Sequence, residues 1–277
     1  MGLFQSYQRE GKGVEKSAMR PIRPLYFFEL FFRKFWKLMQ MNLLYVGLTL
    51  PIWIALTMFL FSDTMENNFS LAYVGDFLYV LALIFIVFSP VIGPATAGMT
   101  YVFKSYATET PVFQFADFFE QFKKNFKQAT LFTFIHGLLL LSFSFTLIHS
   151  SSQLVVGGSS TMSSMQIPLL IVNILFIFVS YYAFSIMVMF QMKFFDILKN
   201  SFIFALAKLP LNLFILILIA AISYFLFHYI VTGLLLTALF LYSFSGFLVV
   251  FSVYPTLEKH MLIPAEKQQL KLEQDEK

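Results

Sequence analysis

The chain has 277 residues, of which 58% are hydrophobic and 19% aromatic, whereas only 12% are charged. Soluble domains carry about 25% charged and about 45–50% apolar residues, so this composition excludes an ordinary soluble protein. Its long apolar runs, of about 20 residues or more, are the pattern of helices that span a bilayer. There is no cysteine, which excludes disulfides and thiolate chemistry, and the net charge is +4.

Six transmembrane helices in three hairpins are predicted, within an all-α membrane protein. Residues 1–24 form a polar leader that is expected to be disordered, and residues 255–277 form a charged, solvated tail. Residues 25–254 form the transmembrane domain, with spans at about 41–61, 77–103, 129–149, 168–190, 211–231 and 233–254. A turn near Tyr229 to Gly233 is expected to separate the last two spans, because glycine permits a backbone reversal.

A short amphipathic segment precedes each hairpin and predicts a helix that lies in the membrane interface. The clearest is FADFFEQFKKNFKQA at residues 115–129, where phenylalanines recur at helical spacing and most charged side chains lie on the other face. Its candidate contacts to lipid or to a docking partner are Phe118, Phe119, Phe122, Lys123, Lys124, Phe126 and Lys127. Anionic lipid head groups are the expected partner of these lysines, which are too few for nucleic acid.

The amphipathic segments also suggest a three-fold parallel repeat. Residues 28–35 (FELFFRKF), 119–126 (FEQFKKNF) and 195–202 (FDILKNSF) align without gaps, and each precedes an odd-numbered span. The repeat unit would be one interfacial helix and one transmembrane hairpin. The alternative is that any lead-in to a membrane helix looks amphipathic, especially in a chain with 38 phenylalanines.

The distribution of Lys and Arg predicts the orientation. Eight precede the first span, four follow the second, three follow the fourth and four lie in the tail, which accounts for all 19. The three opposite loops have none. The positive-inside rule therefore predicts a multi-pass protein of the cell (plasma) membrane with both termini in the cytoplasm.

The stretch SPVIGPATAG, residues 89–98, is the most unusual part of any predicted span. Its two prolines lack an N–H, so the carbonyls of Ile86 and Pro90 need other donors in hydrocarbon. Broken helices line binding sites in transporters. The candidate site of this kind comprises Pro90, Gly93, Pro94, Thr96 and His136. The interpretation that we favour is close helix packing through Gly93 and Ala97.

Catalytic chemistry is not indicated. No Asp, Glu, Lys or Arg lies within a predicted span, which argues against ion-coupled transport. The four histidines lack metal-ligand spacing, and no phosphate loop or nucleophile motif occurs, so we expect no catalytic residue, cofactor or metal. His136 is expected to bond a neighbouring helix. Interhelical hydrogen bonds are also expected of Asn173, Tyr181, Tyr182, Asn212 and Tyr224.

The segments SPVIGPATAG, TYVFKSYATETPVF and DFFEQFKKNFKQAT, in that order, resemble the YesL family of bacterial membrane proteins. The resemblance is close over Pro90 to Thr130 and rests on hydropathy elsewhere. That family is a domain of unknown function, commonly encoded beside carbohydrate ABC-transporter components and glycan-degrading enzymes. The resemblance implies a non-enzymatic accessory role in carbohydrate ABC-type uptake, with permease subunits as partners.

Two other functions are open. One is a transporter or channel for a small neutral solute, which predicts a continuous polar cavity that reaches Thr96 and Gly93. The other is a structural or lipid-organising membrane protein, which the basic and aromatic segments also permit.

Overall fold

The computed structural model describes residues 23–50, 52–54, 57, 71–156, 163–228 and 230–264. These residues are almost wholly helical, and none of them lies in a strand. The helices are α1 (Arg23–Arg33), α2 (Phe35–Leu48), α3 (Leu71–Val87), α4 (Ser89–Ala107), α5 (Gln114–Lys124), α6 (Phe126–Val156), α7 (Ser163–Met189), α8 (Phe194–Ala207), α9 (Leu209–Phe227), α10 (Ile230–Leu236) and α11 (Tyr242–Leu257). A π-helical turn follows α10 at Thr237–Leu241, and another follows α11 at Glu258–Leu262.

Several of these helices are long and apolar enough to cross a membrane. Within the described ranges they are Phe126–His149, Met165–Met189, Leu209–Leu226 and Val231–Leu262. The bent pair Val74–Val87 and Ser89–Ala107 makes a fifth if it is counted as one span. The chain is therefore an all-helical, multi-pass membrane protein. The first predicted span, 41–61, lies only partly within the described residues, as do the leader and the tail, so six spans stay a prediction.

The second predicted span is bent by 80° between α3 and α4. The break falls at Phe88, and Pro90 therefore occupies the first turn of α4, where its missing N–H would have no helical partner in any case. The Ser89 hydroxyl donates to the carbonyl of Ile86 at 2.9 Å. One carbonyl near the break thus has a donor from the protein itself, as a hydrocarbon environment requires.

Both halves of the bent span pack against α6. A Cβ atom on Gly137 of α6 would lie 2.8 Å from Cγ1 of Ile86 on α3. A Cβ atom on Gly93 of α4 would collide with the backbone carbonyl of Ala129 and would lie 2.7 Å from the Thr133 hydroxyl. The two glycines therefore let the backbones come into contact, as small residues do in membrane helix pairs.

The three amphipathic segments form helices α1, α5 and α8, and each ends at a single-residue break. The break residues are Lys34 (φ −104°, ψ 8°), Asn125 (φ −98°, ψ 9°) and Lys208 (φ −116°, ψ 29°). Lys34 and Asn125 occupy the same position in the ungapped alignment, where the third segment has Ser201. Helix α8 continues through Ser201 and breaks at Lys208, so its break does not follow that alignment.

Helix α5 does not present all its phenylalanines to the outside. Phe118 is 0% exposed, because Gly98 of α4 lies directly against its backbone carbonyl and ring. Phe122 packs partly buried against the same core, whereas Phe119 and Phe126 are each 40% exposed. The prediction that Phe118 contacts lipid or a partner is thus corrected: close packing of α4 and α5 places its ring in the core.

Charged residues at the α1–α2 break meet the end of α4 and the turn that follows it. Arg33, at the end of α1, forms an ion pair with Glu109 in the turn after α4. The Lys34 ammonium lies 5.8 Å from the centroid of the Tyr106 ring. Burial, together with the charges of Lys37 and Arg33, lowers the pKa of Lys34. We call this the basic end.

The last helix does not stop where the tail is predicted to begin. Helix α11 continues through Pro255 to Leu257, and helical structure extends to residue 264. Leu257 is 0% exposed and Met261 packs partly buried against the same core cluster of α7 and α8 residues. Burial of these apolar side chains offsets the hydrogen bond that Pro255 cannot make. Residues 265–277 lie outside the described part.

Replacing Gly93 by alanine tests the contact between α4 and α6. The new Cβ would overlap the Ala129 carbonyl, a backbone atom that cannot move alone, so we expect a loss of about 1–3 kcal/mol in unfolding free energy. Gly47→Ala in α2 is the matched control, since a Cβ there meets nothing within 4 Å. Thermal unfolding in detergent should give a lower midpoint for Gly93→Ala only. Equal midpoints would contradict the close contact.

Candidate functional site

A cavity of about 370 Å³ lies between α2, α4, α7, α9 and α11. Eight hydroxyl-bearing residues line it: Tyr45, Thr96, Thr100, Ser180, Tyr181, Ser185, Tyr242 and Ser245. Most of the remaining lining is aliphatic or aromatic, and none of the described lining residues is Asp, Glu, Lys, Arg or His. The cavity can therefore hold a ligand by neutral hydrogen bonds and by contact with apolar surfaces.

The serine and threonine protons are already used within the protein. Thr96 Oγ1 donates to the carbonyl of Ile92 at 2.7 Å, and Thr100 Oγ1 donates to the carbonyl of Thr96 at 2.7 Å. The three lining serines are Ser180, Ser185 and Ser245. Each donates in the same way to a backbone carbonyl about one helical turn earlier. Each such oxygen can still accept a hydrogen bond, so these groups meet a ligand as acceptors.

The tyrosines supply the donors. The Tyr45 hydroxyl lies 3.2 Å from Thr96 Oγ1, and it is the donor because the Thr96 proton is engaged by Ile92. Tyr181 and Tyr242 accept hydrogen bonds through their backbone carbonyls, from Ser185 and Ser245, but no hydrogen bond among the described residues involves the side-chain hydroxyl of either tyrosine. Their two hydroxyl protons are therefore available to a molecule in the cavity.

Tyr242 owes its place to the π-helical turn before it. Asn42 of α2 is 0% exposed, and its side-chain amide donates to the carbonyls of Thr237 at 3.0 Å and Ala238 at 2.6 Å. The N–H of Ser243 donates to Asn42 Oδ1 at 2.8 Å. One side chain thus partners three backbone groups around the π turn. π turns occur often at functional sites.

Asn42 was not identified from the sequence. In the sequence, Asn42 is an amide side chain near the start of an apolar run, and such residues are common in interhelical contacts of many kinds. The backbone groups that it partners lie about 200 residues later, at Thr237, Ala238 and Ser243.

The candidate broken-helix residues are not brought together. Thr96 lines the cavity, but Gly93 and Pro94 are buried and do not line it, and Pro90 is exposed. The ring of His136 packs between Phe85 (5.6 Å between ring centroids) and Phe176 (5.2 Å), and it does not line the cavity either. His136 therefore has aromatic neighbours where an interhelical hydrogen bond was expected.

Other polar residues that were singled out occupy different places. Tyr182 donates to Asn212 Oδ1 at 3.1 Å, and the Asn212 amide donates to the carbonyl of Ala205 at 2.9 Å, so this pair links α7, α8 and α9. Asn173 donates to the carbonyl of Leu139 on α6 at 3.2 Å. Tyr224 is 79% exposed and projects from the bundle.

A metal centre is not formed by the described residues: no group of three or more His, Cys, Asp or Glu among them could hold an ion. The polar side chains described above are hydroxyls and amides that form hydrogen bonds between or within helices, and charged side chains lie at the basic end.

Residues 38–146 match a family model described as a protein of unknown function, DUF624. The matched range contains the segments of Pro90 to Thr130 that resemble the YesL family. It includes Tyr45, Thr96 and Thr100 on the cavity wall, whereas the α7, α9 and α11 walls lie beyond it. Comparison with curated proteins and with solved structures finds no match. Over residues 38–146, the chain is therefore similar to a family of proteins of unknown function.

Proposed function

We propose that the protein binds a small, uncharged, hydroxyl-rich solute in the central cavity and acts, without catalysis, as a carrier or channel for it. The observation that supports this proposal is the lining: its described residues include eight hydroxyl-bearing side chains and no carboxylate, ammonium or imidazole group, and the cavity reaches Thr96 although not Gly93. The volume of about 370 Å³ is near the lower end of the range of about 300–1,000 Å³ for ligand sites. It suits a molecule of monosaccharide size or smaller.

The hydrogen-bonding pattern supports a polyol or sugar. Serine and threonine oxygens can accept from ligand hydroxyls, and Tyr181 and Tyr242 can donate to ligand oxygens. The rings of Phe103 and Phe184 offer apolar faces to the C–H groups of such a molecule. An ionised ligand would enter this environment without a counter-charge, which is costly in a region of low dielectric constant.

An accessory role in carbohydrate ABC-type uptake is the second candidate. Exposed aromatic side chains on α1, α5 and the start of α2 favour this accessory role. The opposite faces of these helices are buried in the bundle. The exposed side chains are Phe28 (50% exposed), Phe32 (69%), Trp36 (71%), Phe115 (50%) and Phe119 (40%). Exposed apolar patches beside charges mark protein or membrane contacts. In this proposal both termini lie in the cytoplasm of a plasma-membrane protein, and these rings contact permease subunits.

The three break residues also support the proposed repeat. The third segment then aligns at Lys208, and not at Ser201 as in the ungapped sequence alignment. Residues four positions after each break are buried: Leu38 (1% exposed), Ala129 (0%) and Asn212 (0%). Residues seven positions before each break are buried too: Phe27 (4%), Phe118 (0%) and Ser201 (0%). We therefore propose that α1–α2, α5–α6 and α8–α9 are copies of one unit that are aligned at Lys34, Asn125 and Lys208, within a domain of six spans.

Removing the two tyrosine donors tests the solute proposal. Tyr181→Phe combined with Tyr242→Phe keeps both rings and deletes only the hydroxyls, which should weaken binding of an uncharged sugar or polyol by about tenfold. The measurement is equilibrium binding of a panel of radiolabelled neutral sugars and polyols to purified protein in lipid nanodiscs, with sugar phosphates as charged comparisons.

Tyr224→Phe is the matched control, because that hydroxyl lies outside the cavity. The control should bind like the unaltered protein. If no neutral solute binds, or if the double variant binds as well as the control, the solute proposal fails.

The accessory proposal predicts that permease subunits co-purify with the protein from gently solubilised native membranes. Phe115→Ser with Phe119→Ser should reduce their recovery several-fold, because the exposed rings would form the contact. Phe225→Ser, at another exposed ring (81%), is the control and should recover them fully. A purified protein without any transporter subunit would remove this candidate.

A further inference from the structure

A second pocket, of about 800 Å³, lies between two lysine-bearing segments that are distant in sequence. One wall is the break between α5 and α6, with Lys123, Lys124 and Lys127. The other is the connection between α7 and α8, with Lys193. The sequence pattern places the first three lysines along an amphipathic helix. Only the fold adds Lys193 opposite them.

Among the residues that the structure describes, no carboxylate lines this pocket. The nearest acidic residues along the chain are Glu120, in the turn before Lys123, and Asp196, in the first turn of α8. Among the described residues the ion pairs belong to Arg33, with Glu29 and Glu109, and involve none of these lysines. Four ammonium groups around one cavity repel one another and attract an anion.

The pocket walls are held together by hydrogen bonds. Gln128 of α6 donates its side-chain amide to the carbonyl of Met192 at 3.0 Å, and so joins the two walls. The Asn125 side chain, 6% exposed, donates to both the carbonyl and the side-chain oxygen of Gln121 at 3.1 Å and so secures the break. The lysines therefore project from walls that hydrogen bonds hold together.

The pocket also lies at the ends of two candidate spans. One span begins at Phe126 and the other ends at Met189, and both residues line the pocket. Lipid phosphates lie at this depth, where a spanning helix leaves the hydrocarbon. Basic pockets between membrane helices are known to bind acidic head groups.

We propose that this pocket is a discrete binding site for a phosphate-bearing anion, and that Lys123, Lys124 and Lys127 hold it together with Lys193. An anionic phospholipid head group is the source that the position favours, with its acyl chains along the adjacent apolar helices. The proposal does not depend on the solute proposed for the central cavity, whose lining is entirely separate.

Lipid titration with paired lysine variants tests the site. Phosphatidylglycerol, phosphatidylcholine and inorganic phosphate are each titrated into the detergent-solubilised full chain, and bound adducts are quantified by native mass spectrometry. Lys127→Gln with Lys193→Gln removes one ammonium from each wall and should weaken phosphatidylglycerol binding about thirtyfold. Lys199→Gln with Lys208→Gln causes the same change in net charge outside the pocket and should leave binding intact.

Lys127→Arg with Lys193→Arg should retain binding, which separates loss of charge from loss of folding. If inorganic phosphate binds as tightly as phosphatidylglycerol with the same lysine dependence, the site is supported and its source is a soluble anion. If the two glutamine pairs weaken binding equally, or if phosphatidylcholine binds as well as phosphatidylglycerol, the attraction is diffuse or non-electrostatic and the proposal is overturned.

Discussion

The structure depends on one constraint, which is that backbone N–H and C=O groups within a membrane must find partners in the protein. The helices satisfy this rule along most of their length, and a few polar side chains satisfy it where helical geometry fails. Ser89 supplies a donor at the 80° bend, and Asn125 secures the break between α5 and α6. Asn212 bonds a carbonyl near the end of α8, and Asn42 serves the π turn.

These irregular points shape the interior. The bend after α3 brings α4 across the start of α6, where Gly93 lies against Ala129, and Thr96, three residues later, lines the cavity with residues of α7 and α11. The π turn precedes Tyr242 on the same cavity. A mostly apolar cavity results between α2, α4, α7, α9 and α11, and its polar lining among the described residues consists of hydroxyl groups. Four lysines line a separate pocket between the α5–α6 break and the α7–α8 connection, so the neutral and the anionic ligand are proposed for two different sites.

Much of the architecture follows from local pattern, whereas the sites do not. Apolar runs and helical spacing predict the long helices, the amphipathic segments and the separation of the last two spans, because these properties are local. Phe118 is misjudged because a helix face does not reveal that Gly98 will cover it. Asn42 and Lys193 gain their roles from partners far along the chain, and one sequence gives no sign of such pairs. Pro90 indicates the bend at Phe88 but not its position, because proline also fits the first turn of the helix that begins after the bend.

The most direct test of this account is the stability of Asn42→Leu, since one apolar side chain of similar size would leave two carbonyls and one N–H without their partner. Denaturation in detergent should show a loss of about 2 kcal/mol or more, and hydrogen exchange at the Ser243 amide should accelerate. Asn200→Leu is the control, because that amide bonds only to the Asp196 carbonyl of its own helix. Equal stability of the two variants, with Ser243 still protected, would contradict the account.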